Sequence, residues 1–186
     1  MPIQTPKSVL EVDWPFFGEL CRGLALKVWH GYQPDLVVGI ARAGVIPGAV
    51  VASILRKDFA SMTLRRSEIG EAPSLISRPT LSPKNCKVLL VDSTCDSGQT
   101  IRLAISVMKE EGAVEVKTAI AIKTGSYQPD FAALTNPSFV ILPWDRDIIE
   151  EGEIVVRPDY EAALKSAGLL ATSPAKPRPS TSRRKS

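Results

Sequence analysis

The chain has 186 residues, 44% hydrophobic and 23% charged, with a formal net charge of +3. That length and composition fit one globular domain and exclude a wholly disordered chain, and no stretch approaches the roughly 18 uninterrupted apolar residues of a membrane span. The charge is local: residues 171–186 hold five of the 23 basic side chains and no acidic ones, so the remainder sets 18 basic against 20 acidic residues and offers no basic face for a nucleic-acid backbone.

A short polar leader lacks the apolar core of a signal sequence, which makes the cytoplasm the default location. Asp13 is a helix cap and Pro15 suits a first turn. Phe17, Leu20, Cys21, Leu24 and Val28 then recur at three- and four-residue spacing, so a helix runs to the stop at Gly31 and Pro34. The apolar run 35–40 predicts a strand buried on both faces. A second helix follows over about 45–56, and 59–64 predicts another strand. Residues 67–85, polar and carrying Gly70, Pro73, Pro79 and Pro83, read as a long mobile loop of the kind used as a lid.

Residues 87–91 predict the strongest buried strand, and 99–111 a helix with Ile101, Ala104, Ile105 and Met108 on one face. Strands are expected at 116–122 and 139–142, and a last helix at 160–169. The tail, 171–186, is too rich in Pro, Ser, Arg and Lys to fold, which leaves a single folded unit over 1–170. Alternating strands and helices imply an α/β fold with a mostly parallel central sheet flanked by helices. Ligands of such sheets bind beyond the carboxyl ends of the strands, where the loops at 41–44, 92–100 and from Lys123 onward fall.

The segment V-D-S-T-C-D-S-G-Q-T is the most informative. A strand delivers Asp92, Gly98 permits a tight backbone, and Ser97, Gln99 and Thr100 open a helix whose first N–H groups are unpaired. Free amides, hydroxyls and the helix dipole form an anion site suited to a phosphate monoester. Asp96 stands at its rim. Asp92, Ser93 and Thr94 offer oxygens to ribose hydroxyls or a divalent cation. The phosphate loop of nucleotide triphosphatases and the G-x-G-x-x-G fingerprint are both absent. Three scattered cysteines and one histidine make neither a zinc pattern nor a disulfide framework.

V-L-L-V-D-S-T-C-D-S-G-Q-T resembles the phosphoribosyl-pyrophosphate (PRPP) signature of the type I phosphoribosyltransferases. V-G-I-A-R-A-G-V-I-P-G-A at 38–49 resembles their pyrophosphate loop. K-T-G at 123–125 and F-V-I-L-P-W-D at 139–145 are similar to the purine end of the xanthine–guanine and archaeal 6-oxopurine enzymes. The resemblance implies that family's fold, with a small hood from the chain ends, and transfer of a 5-phosphoribosyl group from PRPP to guanine, hypoxanthine or xanthine. It implies Asp96 as the catalytic acid or base. Arg42, Ala43, Gly44 and the run Asp92, Ser93, Thr94, Cys95, Asp96, Ser97, Gly98, Gln99 and Thr100 would bind PRPP. Lys123, Phe139 and Val140 would bind the base, and Asp92 and Asp145 would serve Mg2+. A homodimer or homotetramer is implied, with neither nucleic acid nor membrane as partner.

Two positions depart from the pattern. Ser93 stands where a second acidic residue is usual, and Ala43 where glycine is common. They leave a PRPP- or nucleotide-sensing protein with weak catalysis as the alternative, beside transfer to a non-purine acceptor. The family often has a non-proline cis peptide in the pyrophosphate loop, which would fall at Ala41–Arg42.

Overall fold

A computed structural model describes residues 8–65 and 72–169. The Asp13 carboxylate accepts the Phe16 amide at 2.8 Å and starts α1 (Trp14–Gly31), a cap worth about 1 kcal/mol. Phe17, Leu20, Cys21, Leu24 and Val28 are its buried face, as their spacing predicts. The central sheet has six strands. β2 (Leu36–Ala41) lies between β3 (Asp58–Arg65) and β5 (Lys87–Cys95), and β6 (Glu115–Lys123) and β7 (Phe131–Thr135) extend it beyond β5, all in parallel. β4 (Ser74–Ser77) closes the other edge, antiparallel to β3.

Successive strand residues face opposite sides. Val37, Leu89, Val91 and Ala119 pack on Leu24 and Val28 of α1 and on Val51 and Ala52 of α2 (Val45–Leu55). Val38, Leu90 and Ile120 pack on Ile101, Ala104, Val107 and Met108 of α3 (Gln99–Glu110). Both faces of β2 and β5 are therefore covered, which is why their sequences read as continuous apolar runs. α2 and α3 leave adjacent strands for opposite faces of the sheet. The chain order reverses between β2 and β5, and a crevice opens at their carboxyl ends.

The expected α/β sheet is present, with amendments. β5 runs four residues past Val91, because β6 pairs with it as far as Cys95 opposite Lys123. The stretch expected to be one long loop contains β4, while residues 67–71 of it lie outside the described residues, as does the tail expected to be disordered. β8 (Phe139–Ile141) leaves the central sheet and pairs in parallel with β1 (Val9–Glu11). β7 and the exposed hairpin of β9 (Asp147–Glu150) and β10 (Glu153–Val156) are additions. With α4 (Pro158–Ser166), the β1–β8 pair and this hairpin make the hood. Among the described residues no helix is long and apolar enough to cross a membrane.

Candidate active site

The loops after β2, β5 and β6 meet at one sheet edge, as the sequence predicts. Two cavities open there. The smaller, about 210 Å³, is lined by Asp92, the run from Thr94 to Ile101, and Thr124. Gly98 caps α3 in the left-handed region, at φ 77°, and a Cβ there would collide with the Tyr127 ring. This turn aims the first amides of α3 into the cavity with the positive end of the helix dipole, the arrangement that holds a phosphate. Arg102 braces it from outside by donating to the Ser97 carbonyl at 2.8 Å.

Asp96 stands exposed at the rim of this cradle. The loop after β6 is stitched beneath it: the Thr124 amide donates to the Cys95 carbonyl at 2.9 Å, and the Tyr127 amide to the Asp96 carbonyl at 3.0 Å. A Cβ on Gly125 would overlap the Asp96 carboxylate and stand 2.9 Å from its backbone carbon. Glycine at 125 therefore gives Asp96 its room, a role that no spacing in the sequence announced. Cys95 lies beneath the rim. Burial, with the charge of Asp92 added, pushes its thiol up to about 11, so it is a neutral packing group rather than a nucleophile.

The larger cavity, about 760 Å³, lies on the β2–β3 side. Arg42 and Ala43 enter it from the turn after β2, Arg65 from the end of β3, and Ser93 and Thr94 from β5. Thr94 lines both cavities, so they adjoin at the end of β5. The Ala41–Arg42 peptide is cis. Gly44 works by close approach: a Cβ there would lie 2.6 Å from the Ile40 and Val91 carbonyl oxygens, and its amide donates to Ile40 at 2.9 Å. The expected Gly44 amide is thus already used within the turn, and Arg42 and Ala43 present the loop to the cavity.

The hood supplies the far wall with Val140, Leu142, Trp144, Asp145 and Tyr160. Of the residues expected at the base, Val140 lines this wall. Lys123 ends β6 opposite Cys95, partly buried, outside the walls of both cavities. Phe139 is exposed and also outside them, its ring edge-on to Tyr160 at 5.5 Å. Nothing in the spacing of the sequence marks Tyr160, which sits on a helix 15 residues beyond the motif it joins.

The two carboxylates expected at a metal do not converge. Asp92 faces the smaller cavity, is 2% exposed, and accepts the Ser93 amide at 2.7 Å. Asp145 faces the larger one with both oxygens engaged: Arg157 donates to Oδ1 at 2.8 Å and the Tyr160 hydroxyl to Oδ2 at 2.5 Å. Burial first, then this carboxylate, raises the Tyr160 phenol well above its ordinary range, so it stays the protonated donor. Between them Ser93 Oγ is fully buried and has no hydrogen-bond partner among the described residues. Among the described residues no three His, Cys, Asp or Glu side chains gather as an ion site. This donor set is a poor fit for a protein-held Mg2+.

A family model described as the phosphoribosyl transferase domain matches residues 12–144. Transcriptional regulator GfcR of Halobacterium salinarum is 31% identical over 129 residues, 62% of this chain and 60% of the regulator. The chain thus spans less than two thirds of the length of that curated relative. The purine phosphoribosyltransferase from Pyrococcus horikoshii superposes with a TM-score of 0.69 at 26% identity, over 78% of this chain and 99% of that one. A xanthine-guanine-hypoxanthine phosphoribosyltransferase from Helicobacter pylori shares the fold at 16% identity, with a TM-score of 0.64 over 74% of this chain and 94% of that one. With a family match that takes in the sheet, the cradle after β5 and the turn after β2, the chain belongs to the phosphoribosyl transferase domain family.

Proposed function

We propose that the chain transfers the 5-phosphoribosyl group of PRPP to a 6-oxopurine (guanine, hypoxanthine or xanthine), giving a nucleoside 5′-monophosphate and pyrophosphate. The observation that carries this reading is that the two cavities adjoin at Thr94, which lines both. A 5′-phosphate held at the start of α3 leaves the ribose beside Asp92 to Thr94. C1 and its diphosphate then reach toward Arg42, and the hood is left for the base. In the reaction the C1–oxygen bond breaks, its electron pair leaving with pyrophosphate, and a bond from a purine ring nitrogen to C1 forms. Arg42 stabilises the negative charge on the leaving group. Asp96, at the rim, takes the proton that the base gives up. Lys123, which ends β6 outside both cavity walls, must turn its side chain toward the hood to donate to the 6-oxo group.

The test is pyrophosphate release from PRPP with guanine, hypoxanthine, xanthine, adenine, uracil or orotate, against a base-free control. Release dependent on a 6-oxopurine is expected. Release with only another base would remove the role given to Lys123. Asp96→Asn should lower turnover by about 10²–10⁴-fold, and unchanged activity would remove the role given to Asp96.

A second reading has its own observation. Ser93 replaces an acidic residue beside the ribose position, and the chain is related to a transcriptional regulator. On that reading PRPP or a nucleotide is sensed rather than consumed. Nucleotide binding without turnover, unrelieved by Ser93→Asp, would favour it.

A further inference from the structure

We propose that this chain takes up PRPP without a divalent cation held by the protein, the ligand's diphosphate being met by guanidinium groups and its ribose by the hydroxyl of Ser93. The inference rests on the preceding reading that PRPP is the ligand. Mg2+ retains several waters and needs only one or two carboxylates besides the oxygens of its phosphate ligand. The question is therefore whether any carboxylate faces the place where the diphosphate would lie.

None does so in a usable state among the described residues. Asp145, the carboxylate in the wall of the larger cavity, is clamped by Arg157 and Tyr160. The clamp is itself anchored. Arg157 also bonds Asp159 through Nε at 3.2 Å and through NH2 at 2.9 Å, and its guanidinium stacks over the Tyr160 ring at 4.5 Å. Metal ligation would compete with the two hydrogen bonds that Asp145 accepts, of which the charge-assisted one from Arg157 is about twice as strong as a neutral bond. Asp92 is turned to the other cavity. Where a second carboxylate would draw a cation to the ribose, the chain has a neutral hydroxyl.

The positive charge is already built in. Arg42 and Arg65 line the cavity from the ends of neighbouring strands, and guanidinium is the side chain whose planar fork matches phosphate oxygens two at a time. The Ser93 hydroxyl is fully buried in the wall of the same cavity with no partner among the described residues. Buried hydroxyls are nearly always satisfied. Turned about its one side-chain torsion to the cavity surface, the Ser93 hydroxyl meets a ribose hydroxyl, both donor and acceptor, which completes it without demanding charge.

Calorimetric titration of the full chain with PRPP, once in excess EDTA and once in excess Mg2+, reads this directly and needs no turnover. The expected dissociation constants agree within about threefold. Tightening by Mg2+ beyond that overturns the inference while leaving PRPP as the ligand. Absence of binding in both conditions overturns the PRPP reading and the inference with it. Ser93→Asp should weaken binding in EDTA by at least about tenfold and recover it with Mg2+. A folded Ser93→Asp protein that binds as tightly as the parent in EDTA would remove the role given to the hydroxyl, and the parent titrations decide the proposal if that variant does not fold.

Discussion

On the proposed reading Asp96 moves a proton and must be held in place, and the residue that makes its place is a glycine. Gly125→Ala puts a methyl group where the Asp96 carboxylate lies, and that side chain is free to swing away at the exposed rim. Turnover should therefore fall by about 10²-fold, as for a displacement of about 1 Å at a reacting group. The Asp96 backbone carbon, 2.9 Å from that methyl group, must shift as well, so the melting point should fall modestly, by less than the loss of turnover would imply. A variant that melts early in proportion to its loss of activity would make Gly125 a folding residue instead. Cysteine chemistry checks the same rim. Burial drives the Cys21 and Cys95 thiols up to about 11, whereas Cys86 is half-buried. Iodoacetamide at neutral pH should label Cys86 first, read by peptide mass spectrometry. The raised thiols favour the folded state below the ordinary thiol value of about 8.5, and that contribution is lost as pH rises from there through about 11. The signature around Asp96 is legible because its residues are adjacent in sequence and each has a stated local task. Gly125 is legible only as part of K-T-G, since its task is defined by a side chain 29 positions away.

At the level of elements, the sequence is readable where the causes are local. For α1 the cap, the proline and the apolar face all lie within 19 residues, and each is found as expected. β7 shows the opposite. Its sequence, F-A-A-L-T, is short, half-buried from Phe131 to Leu134 and exposed at Thr135, with no alternation strong enough to mark a strand. A side-chain tie places it. Asp130 Oδ2 accepts the Thr118 amide and hydroxyl, both at 2.8 Å, and the Asp130 amide donates back to Thr118 Oγ1 at 3.0 Å. These bonds fix where β7 begins against β6. Thr118→Val keeps the shape of a buried residue and removes the hydroxyl, so it should cost about 1–3 kcal/mol. Urea unfolding should show a lower midpoint with an unchanged slope. An unchanged midpoint would mean that Phe131 and its neighbours position the strand alone. β1 and β4 are strands of three or four residues, too short to carry a marked alternation, and the strand expected at 139–142 is present as β8 but pairs with β1, 130 positions away in the chain.

Across the whole molecule a sheet carries the cradle at the start of α3 and the turn after β2, and a hood walls the far side of the larger cavity. The sheet half is held by apolar burial on both faces. The hood half leans on polar ties to the chain ends, with Arg146 bonding Glu11 at 2.6 Å and Arg157 and Tyr160 bonding Asp145. Two kinds of cohesion imply two stabilities. In α4 only Ala163 and Leu164 are buried, so most of its grip comes from the Asp145 clamp and the packing of Tyr160. Arg157→Ala should therefore raise the local opening equilibrium of the hood by about 5–30-fold, the equivalent of about 1–2 kcal/mol for partly exposed charged bonds. Hydrogen exchange would show faster exchange in 147–169 and unchanged protection in β5. The clamp also has a pH signature. Tyr160 is held protonated, so its donated bond is complete below the ordinary tyrosine value of about 10 and its stabilisation declines as pH rises past that value. Tyr160→Phe should lose this alkaline loosening while keeping the ring against Phe139. Retention of full protection in α4 after Arg157→Ala would instead assign the hood to the burial of Leu164. Asp145 would then be free to face the cavity without cost, and the physical barrier to a metal at that carboxylate would be gone.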